Sequence, residues 1–232
     1  MKLLIASRNP HKLAEIRAIF NLPGIEIVGA HEIEGLPDVI EDGRTFQANA
    51  VKKAVSLAML TKLWTLADDS GLEVEALNGD PGVYSARFAG KPAIAGQPAI
   101  AGEPAIAGEP ANYAANNVKL LRLLEQQDHR VARFICVVAL SSPSGRAQIV
   151  EGICQGRILR ECCGEQGFGY DPLFVPDNYE QTFAQMDAAL KNKISHRAIA
   201  LKHAMHNWSE LLGQSAADWP AHRTKRKVLE KD

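Results

Sequence analysis

The stretch Leu66-Ala67-Asp68-Asp69-Ser70-Gly71-Leu72-Glu73-Val74 (LADDSGLEV, residues 66–74) decides how the rest of the chain is read. Two adjacent carboxylates follow the apolar run Leu63 to Ala67, and beyond Ser70 and Gly71 the chain turns apolar again. An isolated charge at the end of a buried strand is costly, so Asp68 and Asp69 call for a positive partner. The pattern predicts a strand ending at the two aspartates and a second one over 71–77, where polarity alternates.

Upstream, KLLIAS (2–7) reads as a buried strand, and RNPHKLAEIRAIF (8–20) follows with Leu13, Ile16 and Phe20 at helical spacing. Asn9 suits the N-cap and Pro10 the first helical position. Strand, tight turn and helix leave free backbone N–H groups at residues 9–12, with Lys12 on the rim. That is a ready anion site, although a well-capped helix alone would read the same way. EDGRTFQANAVKKAVSLAMLTKL (41–63) opens with a turn and a Thr45 cap. Phe46, Ala50, Ala54 and Ala58 then recur every four residues, with Lys53 beside that stripe.

Downstream, NGDPG (78–82) is turn chemistry. Residues 91–108 read KPAIAG, QPAIAG, EPAIAG, and a fourth copy begins at Glu109-Pro110-Ala111. Pro and Gly in every unit exclude a helix, and the segment reads as an exposed, partly polyproline-like loop. A flap over a cleft or a packing element in a dimer are the alternatives. NNVKLLRLLEQQ (116–127) is an amphipathic helix, and residues 130–159 are two β-rich runs joined at Pro143-Ser144-Gly145. GEQGFGYDPLFVP (164–176) is a glycine-rich approach to a short strand. ISHRAIALKHAMHNWSELL (194–212) is a helix capped by Ser195. The class is therefore α/β, with a mixed twisted central sheet flanked by helices.

At 232 residues, 46% hydrophobic and 23% charged, the chain has the make-up of a soluble globular protein. A net charge of −1 gives no global pull toward nucleic acid or an anionic membrane. The basic run 223–227 reads as a solvated tail. No stretch approaches the roughly 20 apolar residues of a membrane span. The N-terminal apolar run is too short for a signal peptide. Cys136, Cys154, Cys162 and Cys163 form no C-x-x-C pair and have no histidine at zinc-ligand spacing. The expectation is a reduced, cytoplasmic protein with neither nucleic acid nor membrane as partner.

Cations and carboxylates recur together. Lys12, Lys53 and the helix start Ser195-His196-Arg197 offer binding to anionic oxygens, while Glu41, Asp68 and Asp69 offer hard carboxylate oxygens. Such a set suits a polyphosphate bridged by Mg²⁺, which takes carboxylates, waters and substrate phosphates. Neither G-x-x-x-x-G-K-[ST] nor G-x-G-x-x-G occurs.

SRNPHK (7–12), DGRTFQANAVKKA (42–54), ADDSGLEV (67–74), PGVYSARFAG (81–90), GFGYDPLF (167–174) and KNKISHRAIAL (191–201) occur in this order. Together they resemble the inosine triphosphate pyrophosphatase family over about residues 2–212. The resemblance implies hydrolysis of ITP, dITP and XTP to the monophosphate and pyrophosphate, with Mg²⁺. It also implies a homodimer and a site in a cleft between two lobes. Residues 1–212 would then be one two-lobed domain carrying an inserted loop at 91–110, with 213–232 as a tail. By the same resemblance Ser7, Arg8, Asn9, Pro10, His11 and Lys12 match the triphosphate loop, and Lys53 a phosphate ligand. Asp69 matches the catalytic base and metal ligand, with Glu41 a second metal ligand and Ser70 a substrate contact. Phe168, Gly169, Tyr170 and Asp171 match the base-binding segment, and Lys191, His196 and Arg197 complete the nucleotide pocket. Asp68 reads as structural.

The chain departs from the family's pattern at Ile40, Ala48 and Leu190, each standing where an acidic residue is usual. Those departures motivate a first alternative, a nucleotide-binding regulator of low activity. A second is a Maf-like pyrophosphatase acting on pyrimidine or modified nucleotides.

Overall fold

Three long strands organise the molecule, in a computed structural model that describes residues 1–90, 105–106 and 112–213. They are β4 (Trp64–Val74), β6 (Val131–Ser141) and β7 (Ala147–Ile158). At about 3.3 Å per residue each spans some 36 Å or more, enough to serve two packing bodies along one ribbon. Around them lie β1 (Lys2–Ile5), β2 (Glu26–Gly29) and β8 (Phe174–Pro176), giving a six-stranded sheet of order β2-β1-β4-β6-β7-β8. Strand β1 runs parallel to β2 and β4, and the remaining pairs are antiparallel. The sheet is mixed, as expected.

The helices are α1 (Pro10–Ile19), α2 (Phe46–Thr61), α3 (Tyr113–Leu123), α4 (Ala188–Ile194) and α5 (His196–Gly213). Asn9 and Thr45 cap α1 and α2, accepting from backbone N–H groups of the first turn as their side chains dictate. Helix α5 lies close on β7 because Gly152 has no side chain. A Cβ there would stand 2.3 Å from both the Ala200 nitrogen and the His196 carbonyl oxygen.

The break expected at the aspartates does not occur. Strand β4 continues through Asp68 and Asp69 in unbroken register with β6, from Thr65 opposite Ser141 to Val74 opposite Ala132. Gly71 serves close approach rather than a turn: a Cβ on it would meet Ser85 Oγ at 2.4 Å and the Gly82 carbonyl at 2.5 Å. The alternating run 71–77 is thus the end of the same strand followed by one 3-10 turn, Glu75–Leu77.

A second difference concerns the repeat. Ala105–Ile106 forms a short strand, β5, antiparallel to β3 (Ile40–Glu41), so one repeat unit pairs with the strand that carries Glu41. The expectation of a loop over the rest of 91–110, and that of a tail over 214–232, lie outside the described residues.

The core is built in three clusters. On one face of the sheet, Leu66, Val138 and Leu140 pack with Leu13 and Ile16 of α1 and with Leu201 and Trp208 of α5. Farther along the same strands, Leu72, Phe134 and Ile158 pack with Phe174, Phe183 and Leu120. On the opposite face, Ala67, Val137 and Ala139 pack against Phe46, Ala50 and Ala54 of α2. Asp68 and Ser70 fall between the first two bodies, at the middle of β4.

Candidate active site

Side chains alternate faces along a strand. Asp68 therefore shares the face of Leu66, covered by α1 and α5, and Asp69 shares the face of Ala67, covered by α2. The two neighbours in sequence meet different cations for this reason alone.

Asp68 is 1% exposed and is held by cations from two helices. Lys12 Nζ lies 3.0 Å and Arg197 Nη2 2.9 Å from its Oδ2. Burial by itself would raise its pKa, but Lys12, Arg197 and Lys53 outweigh it and hold the carboxyl well below the usual range. Ser70 Oγ donates to Asp68 Oδ2 at 3.3 Å and accepts from Arg197 Nη2 at 2.9 Å. Arg197, 1% exposed, also pairs with Glu15 of α1, so most of its donors face carboxylates. Burial lowers an arginine's pKa, yet Asp68 and Glu15 raise that of Arg197 on balance.

On the α2 face Lys53, 4% exposed, is shared. Its Nζ lies 3.1 Å from Glu41, 3.7 Å from Asp69 and 2.7 Å from the Asp68 carbonyl. Asn49, one turn earlier on α2, donates from Nδ2 to Asp69 Oδ2 at 3.0 Å and accepts the Gly43 N–H at 2.7 Å. Burial, with Glu41 alongside, pushes Asp69 up to about 6, although Lys53, Lys12 and Asn49 pull the other way. Asp69 and Glu41 thus share one ammonium, whereas Asp68 draws on Lys12 and Arg197. The α2 side is short of positive charge.

The second cluster stands around Phe168. Phe168 stacks on His11 with centroids 5.2 Å apart and tilts against Tyr113 at 5.9 Å. Lys191 and Arg197 lie over its ring, at 5.0 and 5.8 Å. Asp171 accepts the Phe168 N–H at 2.8 Å and pairs with Lys191 at 2.6 Å. Lys191 reaches Glu15 at 2.8 Å as well. A continuous chain of ion pairs therefore runs Asp171–Lys191–Glu15–Arg197–Asp68–Lys12.

The expected residues do not all converge. Ser7, Arg8 and Lys53 line a small cavity of about 20 Å³ beside Asp38, with Arg8 committed to Asp38 at 2.7 Å and to the Leu36 carbonyl. Asn9 and Pro10 open α1, and Asn9 Oδ1 accepts the His11 and Lys12 N–H groups. Gly169 takes a positive φ of 66° and places its carbonyl 3.1 Å from Asn117 Nδ2. Tyr170 is turned into the core, 4% exposed, and donates to the Ser85 carbonyl. His196 stacks on Phe134 at 4.6 Å, and burial keeps its pKa well below the ordinary histidine value, so it is neutral.

Sequence reasoning missed Asn49, Glu15 and Tyr113. Two signals were present: Asn49 lies four residues before Lys53 and Glu15 three after Lys12, each on the same helix face. A larger cavity, about 420 Å³, lies away from this site among Leu121, Arg122, Glu125, Arg130 and Arg160. Arg130 there donates to the carbonyls of Leu124, Ile158 and Leu159 and so closes local backbone.

This is an α/β protein with a buried carboxylate–cation site between two packing bodies, joined to an aromatic cluster. The chain belongs to the Ham1 family, whose model matches residues 3–207. It is 51% identical over 207 residues to the dITP/XTP pyrophosphatase of Desulforamulus reducens, covering 88% of this chain and 94% of that protein. The dITP/XTP pyrophosphatase of Corynebacterium efficiens is 43% identical over 225 residues, 92% of this chain and all of that one. Among solved structures, the Staphylococcus aureus Ham1 protein superposes with a TM-score of 0.74 at 36% identity, and a HAM1 protein from Coxiella burnetii with 0.75 at 37%. Both comparisons cover 93% of this chain and 100% of the neighbour.

Proposed function

We propose that the protein hydrolyses non-standard purine nucleoside triphosphates (ITP, dITP and XTP) to the monophosphate and pyrophosphate, removing them from the nucleotide pool. The observation that carries the reading is the contrast at the centre of β4. Asp68 is ion-paired from two helices, whereas Asp69 shares a single lysine with Glu41 and is pushed up to about 6. A carboxylate poised near neutrality suits the base that orients or deprotonates the attacking water. Names of relatives support the substrate class.

In this reading water attacks the α-phosphorus in line and pyrophosphate leaves. Lys53 and Lys12 neutralise oxygens of the triphosphate, which the N–H groups opening α1 also face. Phe168 takes the base, and Lys191 and Asp171 hold its loop in place. A purine with a C6 oxygen accepts hydrogen bonds there, whereas adenine presents an amino donor, so a pocket of donors leaves groups unpaired with ATP.

The residues fit Mg²⁺. Glu41 and Asp69 supply two carboxylates short of a cation, and among the described residues no third His, Cys, Asp or Glu completes a closed cage. One or two carboxylates plus substrate phosphates is the usual Mg²⁺ site. Glu41 and Asp69 would hold the ion, which when bound supplies positive charge to the phosphate oxygens. On the family resemblance we also propose a cytoplasmic homodimer; no helix among the described residues is long and apolar enough to cross a membrane.

The departures from the family pattern do not favour the regulator reading. Ile40 and Ala48 are exposed and Leu190 packs on the cluster around Phe134 and Phe174, while Glu41, Lys53 and Asp69 still stand together. The test is pyrophosphate release with ITP, XTP, dITP, GTP, ATP and dUTP at saturating Mg²⁺, beside Asp69→Asn. Turnover of ITP and XTP that is lost in the variant supports the reading. Binding of ITP without turnover in either protein would refute it.

A further inference from the structure

Helix α3 begins directly after the repeat, and one face of its first two turns meets the Phe168 loop. Tyr113 and Asn117 are four residues apart, hence on one face of α3. Both engage consecutive residues of that loop. The Tyr113 ring tilts against Phe168 at 5.9 Å, and Asn117 Nδ2 donates to the Gly169 carbonyl at 3.1 Å. The Tyr113 hydroxyl also accepts from Asn9 Nδ2 at 3.2 Å. Asn9 spends its other polar atom capping α1, the helix that carries Lys12. Helix α3 is anchored in turn: Asn116 accepts the Ala89 N–H and donates to the Ser85 and Ala86 carbonyls. A rigid helix face therefore touches the base-contacting ring on one side and the phosphate-facing helix start on the other.

We propose that Tyr113 is a positioning residue for purine recognition, setting the orientation of Phe168 and tying it, through Asn9, to the start of α1. The assignment rests on the reading of Phe168 as the base contact. Tyr113 acts through Phe168 and not on the reacting atoms, so its loss raises KM and leaves kcat largely alone. An aromatic edge contact and one hydrogen bond together correspond to roughly a tenfold change in affinity.

The experiment is a double-mutant cycle on KM for ITP with Tyr113→Ala and Phe168→Ala, with inhibition by inorganic tripolyphosphate measured on each protein. Tyr113→Ala is expected to raise KM about tenfold with kcat within about twofold. Tyr113→Phe, which keeps the ring, restores most of the affinity. The double variant is expected to be no worse than Phe168→Ala, because the two residues act as one unit. Tripolyphosphate, which has no base, inhibits wild type and Tyr113→Ala equally. Additive losses in the double variant, or parallel losses for ITP and tripolyphosphate, would overturn the assignment. Absence of pyrophosphate release from ITP by the wild type would instead refute the purine reading itself, so the two failures are distinct.

Discussion

Replacing Asp69 with Asn in metal-free protein is expected to stabilise the fold, and to do so only above about pH 4. Asp69 is 7% exposed, and burial with Glu41 alongside moves its carboxyl from 3.8 to about 6. A pKa raised in the folded state adds stability that is complete below the unfolded value and lost as pH rises through the folded one. The window is therefore pH 4 to 6. A shift of about two units at about 1.4 kcal/mol each puts the cost of the ionised form near 3 kcal/mol at pH 7 and above. Asn carries no charge, so the variant should match wild type near pH 4 and exceed it by up to about 3 kcal/mol at pH 8, while losing turnover. Lys53 keeps Glu41 at 3.1 Å in the variant, so no cation is stranded. The assay is urea unfolding with EDTA at half-unit steps from pH 4.5 to 8, comparing midpoints at constant slope. Glu41→Gln provides the internal check, because removing that charge lowers the pKa of Asp69 and shrinks the pH-dependent gain. A variant destabilised at pH 8, or a difference that does not change with pH, would refute the reasoning.

Asp68→Asn should behave in the opposite way. The Asp68 carboxyl is held low, so its stabilisation is present above about pH 4, and the variant should lose about 3–5 kcal/mol at pH 7 with no change between pH 5 and 8, read from the same urea titrations. Lys53→Met leaves Glu41 and Asp69 facing each other without their ammonium. It should abolish turnover and destabilise by about 3–5 kcal/mol at pH 8, but less at pH 5, where Asp69 takes up a proton. EDTA should stop pyrophosphate release and Mg²⁺ restore it. Mg²⁺ should also raise the melting temperature of wild type at pH 8 more than that of Asp69→Asn.

The caps and periodicities that define α1, α2 and α5 were legible because they are local: Asn9, Thr45 and Ser195 satisfy their own helix starts. The run through Asp68 was not, because polar residues in mid-strand look like a strand end unless their partners are known. Those partners, Lys12 and Arg197, lie 56 and 129 residues away in sequence. Short α4 (Ala188–Ile194) also escaped, because seven residues are too few to show a helical period. Tyr113 was invisible for a different reason. The helix was expected from 116, and only the fold brings its first residue to Phe168. The pairing of Ala105–Ile106 with Ile40–Glu41 could not be foreseen, since the same dipeptide occurs in three repeat units.

The two adjacent aspartates acquire different chemistry through parity rather than through any difference in residue type. A strand turns alternate side chains to opposite faces, so insertion of one residue before Asp68 would exchange their environments. The face toward α1 and α5 supplies Lys12 and Arg197, and the carboxylate there is fixed in its ionised form. The face toward α2 supplies one lysine for two carboxylates, and the carboxylate there stays near its titration point. Arg197 joins the Asp68 side of the strand to the Phe168 cluster, because it holds Asp68 and Ser70 while lying over Phe168 and pairing with Glu15, which in turn grips Lys191. The carboxylate fixed in mid-strand and the two cations that lie over the Phe168 ring are thereby parts of one buried ion-pair chain, and Asp69, one residue on, stands outside it.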